Sequence, residues 1–258
     1  MIQKECFTRE WIESIRDRFH YNDVNLIEKV IRAFSLVEML CESNCPFIWK
    51  GGSSLMLLMG SGLHRLSIDV DIVCPPGTDI EKYLSRSFDY GFTRRESLER
   101  EQRGTSIPKS HEKLHYRVAY LSQSEREESI LLDILYEESQ YEYVRTLKVE
   151  SPFIAVEGDA LLVRIPSVDD LLADKLTAFA PNTSGIPYYK NGKPKYVEII
   201  KQLYDIGRLF DSMTNLDIVK NVFGRAAPME LSYRHISDAP DIIMLPSRRI
   251  CRSFAERS

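Results

Sequence analysis

Long apolar runs are missing from this 258-residue chain. No stretch approaches the roughly 18 residues that a membrane-spanning helix needs, so no membrane association is expected. The first residues, MIQKECFTREWIESIRDRF, are charged and lack the apolar centre of a secretion signal. Cysteine is scarce. Five are present (Cys6, Cys41, Cys45, Cys74 and Cys251), an odd number without disulfide spacing, which predicts reduced thiols and a cytoplasmic protein. Cys41 and Cys45 resemble half of a metal site, with no second pair near them. An excess of positive charge is missing too: the net charge is −4, so no global basic field advertises nucleic acid. The histidines (His20, His64, His111, His115 and His235) show no metal-ligand spacing, and no Ser/His/Asp or Cys/His arrangement can be argued from them. Internal repeats and low-complexity tracts are absent.

What is present reads as an ordinary globular protein, 43% hydrophobic and 28% charged. Helices are expected from about Thr8 to Phe19 and, capped by Asn22 or Asp23, through Leu26, Ile27, Val30, Ile31, Phe34, Val37 and Leu40. Phe47 to Trp49 and Ile68 to Val73 read as strands with a helix from Ser53 to Met59 between them. Ile80 to Ser87 reads as helix. Leu114 to Tyr120 and Ile130 to Tyr136 read as strands joined by the charged turn SQSERE, and Leu161 to Ile165 is β-like. Past Pro166 the pattern is helical. Ser167 with Asp170 resembles a capping box for a helix reaching about Ala180. A long Pro/Gly loop follows at Pro181 to Lys195, then helices at Tyr196 to Phe210 and Leu216 to Arg225. This divides the chain into an α/β core at 1–165 and a helical part at 166–258.

Two groups of basic residues stand out. Arg94, Arg95, Arg100, Arg103, Lys109, Lys113 and Arg117 are interleaved with Glu96, Glu99, Glu101 and Glu112, as on a solvated surface. Lys190, Lys193, Lys195 and Lys201 lie in and just after the Pro/Gly loop. No acid separates Lys190 from Lys195, and this makes the second group the better phosphate binder.

The most informative stretch is WKGGSSLMLLMGSGLHRLSIDVDIV, from Trp49 to Val73. A small-residue turn (Gly51, Gly52, Ser53) follows an apolar run and opens a helix, an arrangement that can hold an anion. Asp69 and Asp71 then alternate with Ile68, Val70 and Ile72, so both carboxylates leave one face of a strand. Adjacent carboxylates repel unless a cation neutralises them, and magnesium is commonly held by one or two carboxylates plus substrate phosphates. Turn and aspartates together read as a metal–phosphate site. His64, beside this motif, is either a loop residue or a nucleotide contact.

Three further residues extend this reading. Asp133 lies inside SILLDILYE, a strand otherwise buried by pattern, where an unpaired carboxylate is costly. It either pairs with an arginine at the strand edge or joins Asp69 and Asp71 on a neighbouring strand, and three carboxylates could hold two metal ions. Lys175 falls within the apolar stripe Val168, Leu171, Leu172, Leu176 and Phe179. It either snorkels to the edge or aims its ammonium at a triphosphate. Asp205, in IIKQLYDIGRLFD, falls on the polar side of its helix and invites an i, i+4 pair with Lys201.

The segments KGGSSL (Lys50–Leu55), HRLSIDVDIV (His64–Val73), DLLADKLTAFAPNTSGIPY (Asp170–Tyr188) and KQLYDIGRLFD (Lys201–Asp211), in this order, resemble the AbiEii/AbiGii nucleotidyltransferase toxins of the DNA polymerase β-like superfamily. The resemblance covers residues 46 to about 211. It implies an α+β nucleotidyltransferase core, a mixed sheet flanked by helices, with a mostly helical C-terminal half. It implies triphosphate binding by Gly52 and Ser53 within a nucleotide-binding set of Lys50, Gly51, Gly52, Ser53, Arg65 and Ser67. Asp69 and Asp71 would ligate Mg²⁺, with Asp133 as the third carboxylate. Two Mg²⁺ ions are expected, with Mn²⁺ as a substitute. Lys175 and Asp205 match two further motifs implicated in activity. The family pairs with an antitoxin encoded nearby, as a type IV toxin–antitoxin system used in phage defence and without a stable complex. Some members add nucleotides to the 3′ end of tRNA, so the expected partners are an NTP and a tRNA or other RNA acceptor. Transfer to a protein side chain, nucleotide binding without transfer, and Mn²⁺-dependent glycosyl transfer remain as alternatives.

Overall fold

The computed structural model describes residues 1–60, 65–98, 112–181 and 183–232. His64, Arg100, Arg103, Lys109 and the tail from residue 233 lie outside the described residues. The chain divides into two units. The first takes 1–98, 112–139 and 144–165, and the second takes 140–143 and the described residues from 166 onward.

Two helices open the first unit. α1 (Arg9–Phe19) is capped by the Thr8 hydroxyl, which accepts from the Trp11 amide. α2 (Val24–Glu42) is capped by the Asp23 carboxylate, which accepts from the amides of Asn25 and Leu26. The apolar stripe of α2 packs inward as its pattern predicts, but the burial goes further round the helix and includes Glu28, Arg32 and Glu38. Each finds partners. The Glu28 carboxylate accepts from the Gln123 amide, and that of Glu38 accepts from the Ile2 amide at 2.7 Å. The Arg32 guanidinium sits 4.5 Å from the Phe7 ring centroid and 4.9 Å from that of Tyr120.

A five-stranded mixed sheet forms the centre of this unit, in the order β1-β2-β5-β4-β3. Its strands are β1 (Ile48–Lys50), β2 (Val70–Cys74), β3 (Phe92–Leu98), β4 (Glu112–Leu121) and β5 (Glu127–Tyr136). β2 and β5 run parallel, and every other neighbouring pair is antiparallel. α3 (Gly51–Met59) follows β1 directly. α4 (Ile80–Leu84) is shorter than the pattern suggested and gives way to a 3₁₀ turn at Ser87–Tyr90. β6 (Val144–Lys148) and β7 (Leu162–Pro166) form a separate two-stranded ribbon.

The structure also differs from the sequence reading at the start of two elements and in one strand of the sheet. β2 begins at Val70 rather than Ile68, α3 begins at Gly51 rather than Ser53, and the edge strand β3 was not anticipated. Burial pushes the Cys41 thiol up to about 12. A hydrogen bond with Cys74, together with burial, raises Cys45 as well.

The second unit is mostly helical: α5 (Val168–Ala178), α6 (Tyr196–Ser212) and α7 (Leu216–Ser232), with a short hairpin of β8 (Tyr189–Lys190) and β9 (Lys193–Pro194) before α6. α7 runs past Arg225 and carries Pro228 within it. Ser167 caps α5 by accepting from the Asp170 amide. The two acids that follow are buried fasteners. The Asp170 carboxylate accepts from the amides of Glu142 and Tyr143, and that of Asp169 accepts from the Thr214 amide and hydroxyl. They tie the start of α5 to the 140–143 segment and to the α6–α7 link. Among the described residues, no helix is long and apolar enough to cross a membrane.

Candidate active site

One row of side chains crosses the central sheet. Lys50 on β1 is the register partner of Asp71 on β2. Asp71 pairs with Asp133 on β5, and Asp133 pairs with His115 on β4. Side chains at paired positions leave the same face of a sheet, so a lysine, two carboxylates and an imidazole stand side by side. The aliphatic neighbours Val70, Ile72, Leu132 and Ile134 are buried, at 1% exposure or less. Their packing fixes which face the carboxylates leave, because a slip of one residue would put the carboxylates in the core. Asp69, one residue before β2, is exposed.

The glycine turn closes on this row. Gly51 has φ +78°, and a Cβ built on it would lie 2.0 Å from Oδ2 of Asp71. Only a residue without a side chain lets the start of α3 approach that carboxylate so closely. Gly52 is covered in the same way: a Cβ there would lie 2.5 Å from Oγ of Ser67 and 2.6 Å from Nη2 of Arg65. Thus Lys50, Gly51, Gly52, Arg65, Ser67 and Asp71 form one neighbourhood. Ser53 is 2% exposed and works inside the protein. Its hydroxyl donates to the Asp69 carbonyl at 2.6 Å and accepts from Nε1 of Trp49 at 3.1 Å. These bonds fasten α3 to the approach of β2 and so position Asp69. A phosphate contact by the hydroxyl would require giving them up.

Asp133 has a specific partner. Nδ1 of His115 donates to its Oδ1 at 2.6 Å, with both side chains about one quarter exposed. No arginine pair at the strand edge is needed to account for this carboxylate. The sequence reading passed over His115 because no motif contains it. The signal was nevertheless present, because β4 and β5 are joined by one tight turn. Counting outward from Leu121 and Glu127 places His115 opposite Asp133.

Asp69, Asp71 and Asp133 offer only hard carboxylate oxygens, a donor set suited to magnesium or manganese. Among the described residues, no three His, Cys, Asp or Glu side chains are gathered tightly enough to hold an ion by themselves.

Lys175 and Asp205 belong to the second unit and are partners of each other. The Lys175 ammonium lies 3.1 Å from Oδ2 of Asp205, with the side chains 7% and 0% exposed, and donates to Oε1 of Gln202 at 3.1 Å. This corrects two expectations. Lys175 does not snorkel to solvent, and Asp205 does not sit on a solvated helix face. Basic residues in the first unit behave as a solvated surface should: Arg94 pairs with Glu127, Arg95 with Glu81 and Arg117 with Glu96.

A sequence profile described as "Nucleotidyl transferase AbiEii toxin, Type IV TA system" matches residues 36–248. The chain belongs to the AbiEii family. It is therefore a nucleotidyltransferase of a toxin family, whose type IV toxin–antitoxin setting implies an antitoxin partner and a nucleotide substrate. No curated protein matches the chain.

Among solved structures, this AbiEii protein is similar to MenT4, a nucleotidyltransferase toxin of Mycobacterium tuberculosis H37Rv. The TM-score is 0.54 at 14% identity, over 88% of this chain and 74% of that one. That likeness concerns the fold and agrees with the α+β core. JHP933 from Helicobacter pylori matches at TM-score 0.45 and 18% identity, over 89% of this chain and 92% of that one. An antigenic nucleotidyltransferase-like protein from Paracoccidioides brasiliensis matches at 0.46 and 14%, over 83% and 96%.

Proposed function

We propose that this AbiEii nucleotidyltransferase transfers a nucleoside monophosphate from an NTP to the 3′ hydroxyl of a tRNA, in a reaction that depends on Mg²⁺. The observation that carries this reading is the Asp71–Asp133 pair on adjacent parallel strands, with the glycine turn pressed against Asp71. The amides opening α3 beyond Gly51 face a triphosphate with donors that have no partner within the helix. Arg65, lying over Gly52, adds a cation beside them. Asp69, Asp71 and Asp133 would hold the metal, which supplies neutralisation of the triphosphate charge when bound. The acceptor oxygen forms a bond to the α-phosphorus, the bond from that phosphorus to the bridging oxygen breaks, and pyrophosphate leaves. The hydroxyl proton passes to the carboxylate of Asp133, which is held in place by His115. An antitoxin need not touch the protein for this chemistry to be restrained, and the site operates in a cytoplasmic setting where NTPs and tRNA are available.

The test is direct. Protein incubated with each labelled NTP, Mg²⁺ and total tRNA should give labelled RNA that disappears with EDTA. Wild type that labels RNA no better than the Asp69→Asn/Asp71→Asn variant would sink the reading. Label that survives RNase and migrates with protein would move the acceptor to a side chain.

His115→Ala should lower the labelling rate by about 10- to 100-fold, the usual cost of removing a group that orients a metal-ligating or catalytic partner. His115→Asn, whose amide still offers a donor, should recover part of that loss. Both variants should keep the wild-type circular dichroism spectrum. An unchanged rate for His115→Ala would show that Asp133 does not need the imidazole.

A further inference from the structure

The hairpin before α6 carries a feature that nucleotide chemistry does not use. Asn191 (φ +52°) and Gly192 (φ +73°) form a two-residue turn of the Asn-Gly type, in which both residues have positive φ. It sets Lys190 opposite Lys193 as register partners. The turn thereby brings two lysine side chains to one face of the ribbon. Within residues 189–201 the sequence carries four lysines, Lys190, Lys193, Lys195 and Lys201, and one acid, Glu198, which Lys195 engages at 2.5 Å. This local positive excess occurs in a chain whose net charge is −4.

The neighbouring surface is aromatic and open. Tyr189 is 60% exposed and Tyr196 is 47% exposed. Their rings meet edge to face at 5.8 Å and their hydroxyls are hydrogen-bonded, so the two rings are held as one platform. Alternation along the ribbon puts Tyr189 on one face and Lys190 on the other. A single strand laid along the ribbon edge would stack bases on the tyrosines and place phosphates against the lysines. Lysines with exposed rings are the combination that binds single-stranded nucleic acid without reading its sequence. A duplex buries its base faces and could use only the lysines.

We propose that the Tyr189–Lys193 hairpin, with Tyr196 and Lys201, is the docking surface for the single-stranded end of the RNA acceptor. The inference rests on the RNA-acceptor reading above and is tested without any transfer chemistry. Fluorescence anisotropy would follow a labelled short single-stranded oligoribonucleotide, and separately a blunt RNA duplex, with wild type and two double variants. Tyr189→Ala/Tyr196→Ala should weaken single-strand binding by about tenfold or more per stacked base lost. Lys190→Gln/Lys193→Gln should weaken it and reduce the slope of log affinity against log salt by about 1.4, two phosphate contacts at about 0.7 each. All four positions are exposed, so melting curves should match wild type.

Binding by both variants equal to wild type would overturn the surface while leaving RNA as acceptor, as would equal affinity for the duplex. Total tRNA still labelled by the variants at the wild-type rate would point the same way. Wild type that neither binds nor labels RNA would overturn the acceptor reading and this surface with it.

Discussion

Asp205→Ala should cost the helical unit about 3–5 kcal/mol, the usual penalty for removing one partner of a buried ion pair. Against a total stability of about 5–15 kcal/mol for a folded domain, this loss leaves a substantial unfolded fraction at 37 °C. The reason is the burial of the pair. Lys175 and Asp205 have side chains only 7% and 0% exposed, and the ammonium also donates to Oε1 of Gln202. Deleting the carboxylate leaves a buried ammonium without its ion-pair partner, where solvation replaces that partner poorly. Urea unfolding followed by circular dichroism should show the midpoint falling by roughly 2 M, given a slope of about 1–3 kcal/mol per molar. Lys175→Met should behave alike. The double variant Lys175→Met/Asp205→Leu removes both charges together and should regain most of the stability, because matched apolar residues often replace a buried pair at little cost.

The double variant also separates two roles that the family resemblance leaves joined. If the pair serves only to hold α5 against α6, stability and labelling activity return together. If one of the two groups also takes part in the reaction, stability returns and activity does not. Single variants cannot make this distinction, since unfolding and chemical inactivity both read as lost activity. Wild-type stability in Asp205→Ala would show that the pair is not what its burial implies.

How far the sequence carried depends on where each feature's information is stored. β2 and β5 were legible because their aliphatics are buried and their register partners continue the pattern. β3 was not, because FTRRESL is an edge strand facing solvent, with Arg94, Glu96 and Ser97 outward, and reads as a charged surface. The hairpin at residues 189–194 hid inside a loop although its Asn-Gly turn was visible. Two-residue strands are simply too short to show alternation. The candidate site divides in the same way. Gly51, Asp69 and Asp71 lie close in sequence, and the approach of the glycine turn to the aspartates could be anticipated from spacing alone. The Lys175–Asp205 pair joins two helices, each with its own local account of its charged residue, and only packing unites them. The internal work of the Ser53 hydroxyl depends on Trp49 and on the Asp69 carbonyl, a geometry set by how α3 meets β2.

Gly51→Ala should abolish transfer with little loss of fold. The added methyl would stand 2.0 Å from Oδ2, 2.7 Å from Cγ and 3.0 Å from Cβ of Asp71, and no carboxylate tolerates that approach. Asp71 cannot retreat as a whole, because β2 is locked between β1 and β5. Its side chain must rotate away instead, taking its oxygens off the row they share with Asp133. Displacement of a reacting group by about 1 Å commonly costs about 100-fold in rate, so labelling should fall by at least about that factor. The backbone penalty is smaller: an L-residue at φ +78° costs about 1–2 kcal/mol, a shift of a few degrees in the melting midpoint of a unit this size. Gly52→Ala is the matched control. Gly52 is not at positive φ, and its closest neighbours are Oγ of Ser67 and Nη2 of Arg65, the movable ends of side chains. That variant should raise KM for the NTP, by displacing Arg65, more than it lowers kcat. Gly51→Ala should do the reverse, since it disturbs a carboxylate on the reacting row. Gly51→Ala activity within about tenfold of wild type would mean that Asp71 works from a different position, and the metal–phosphate site would have to be placed elsewhere on the sheet.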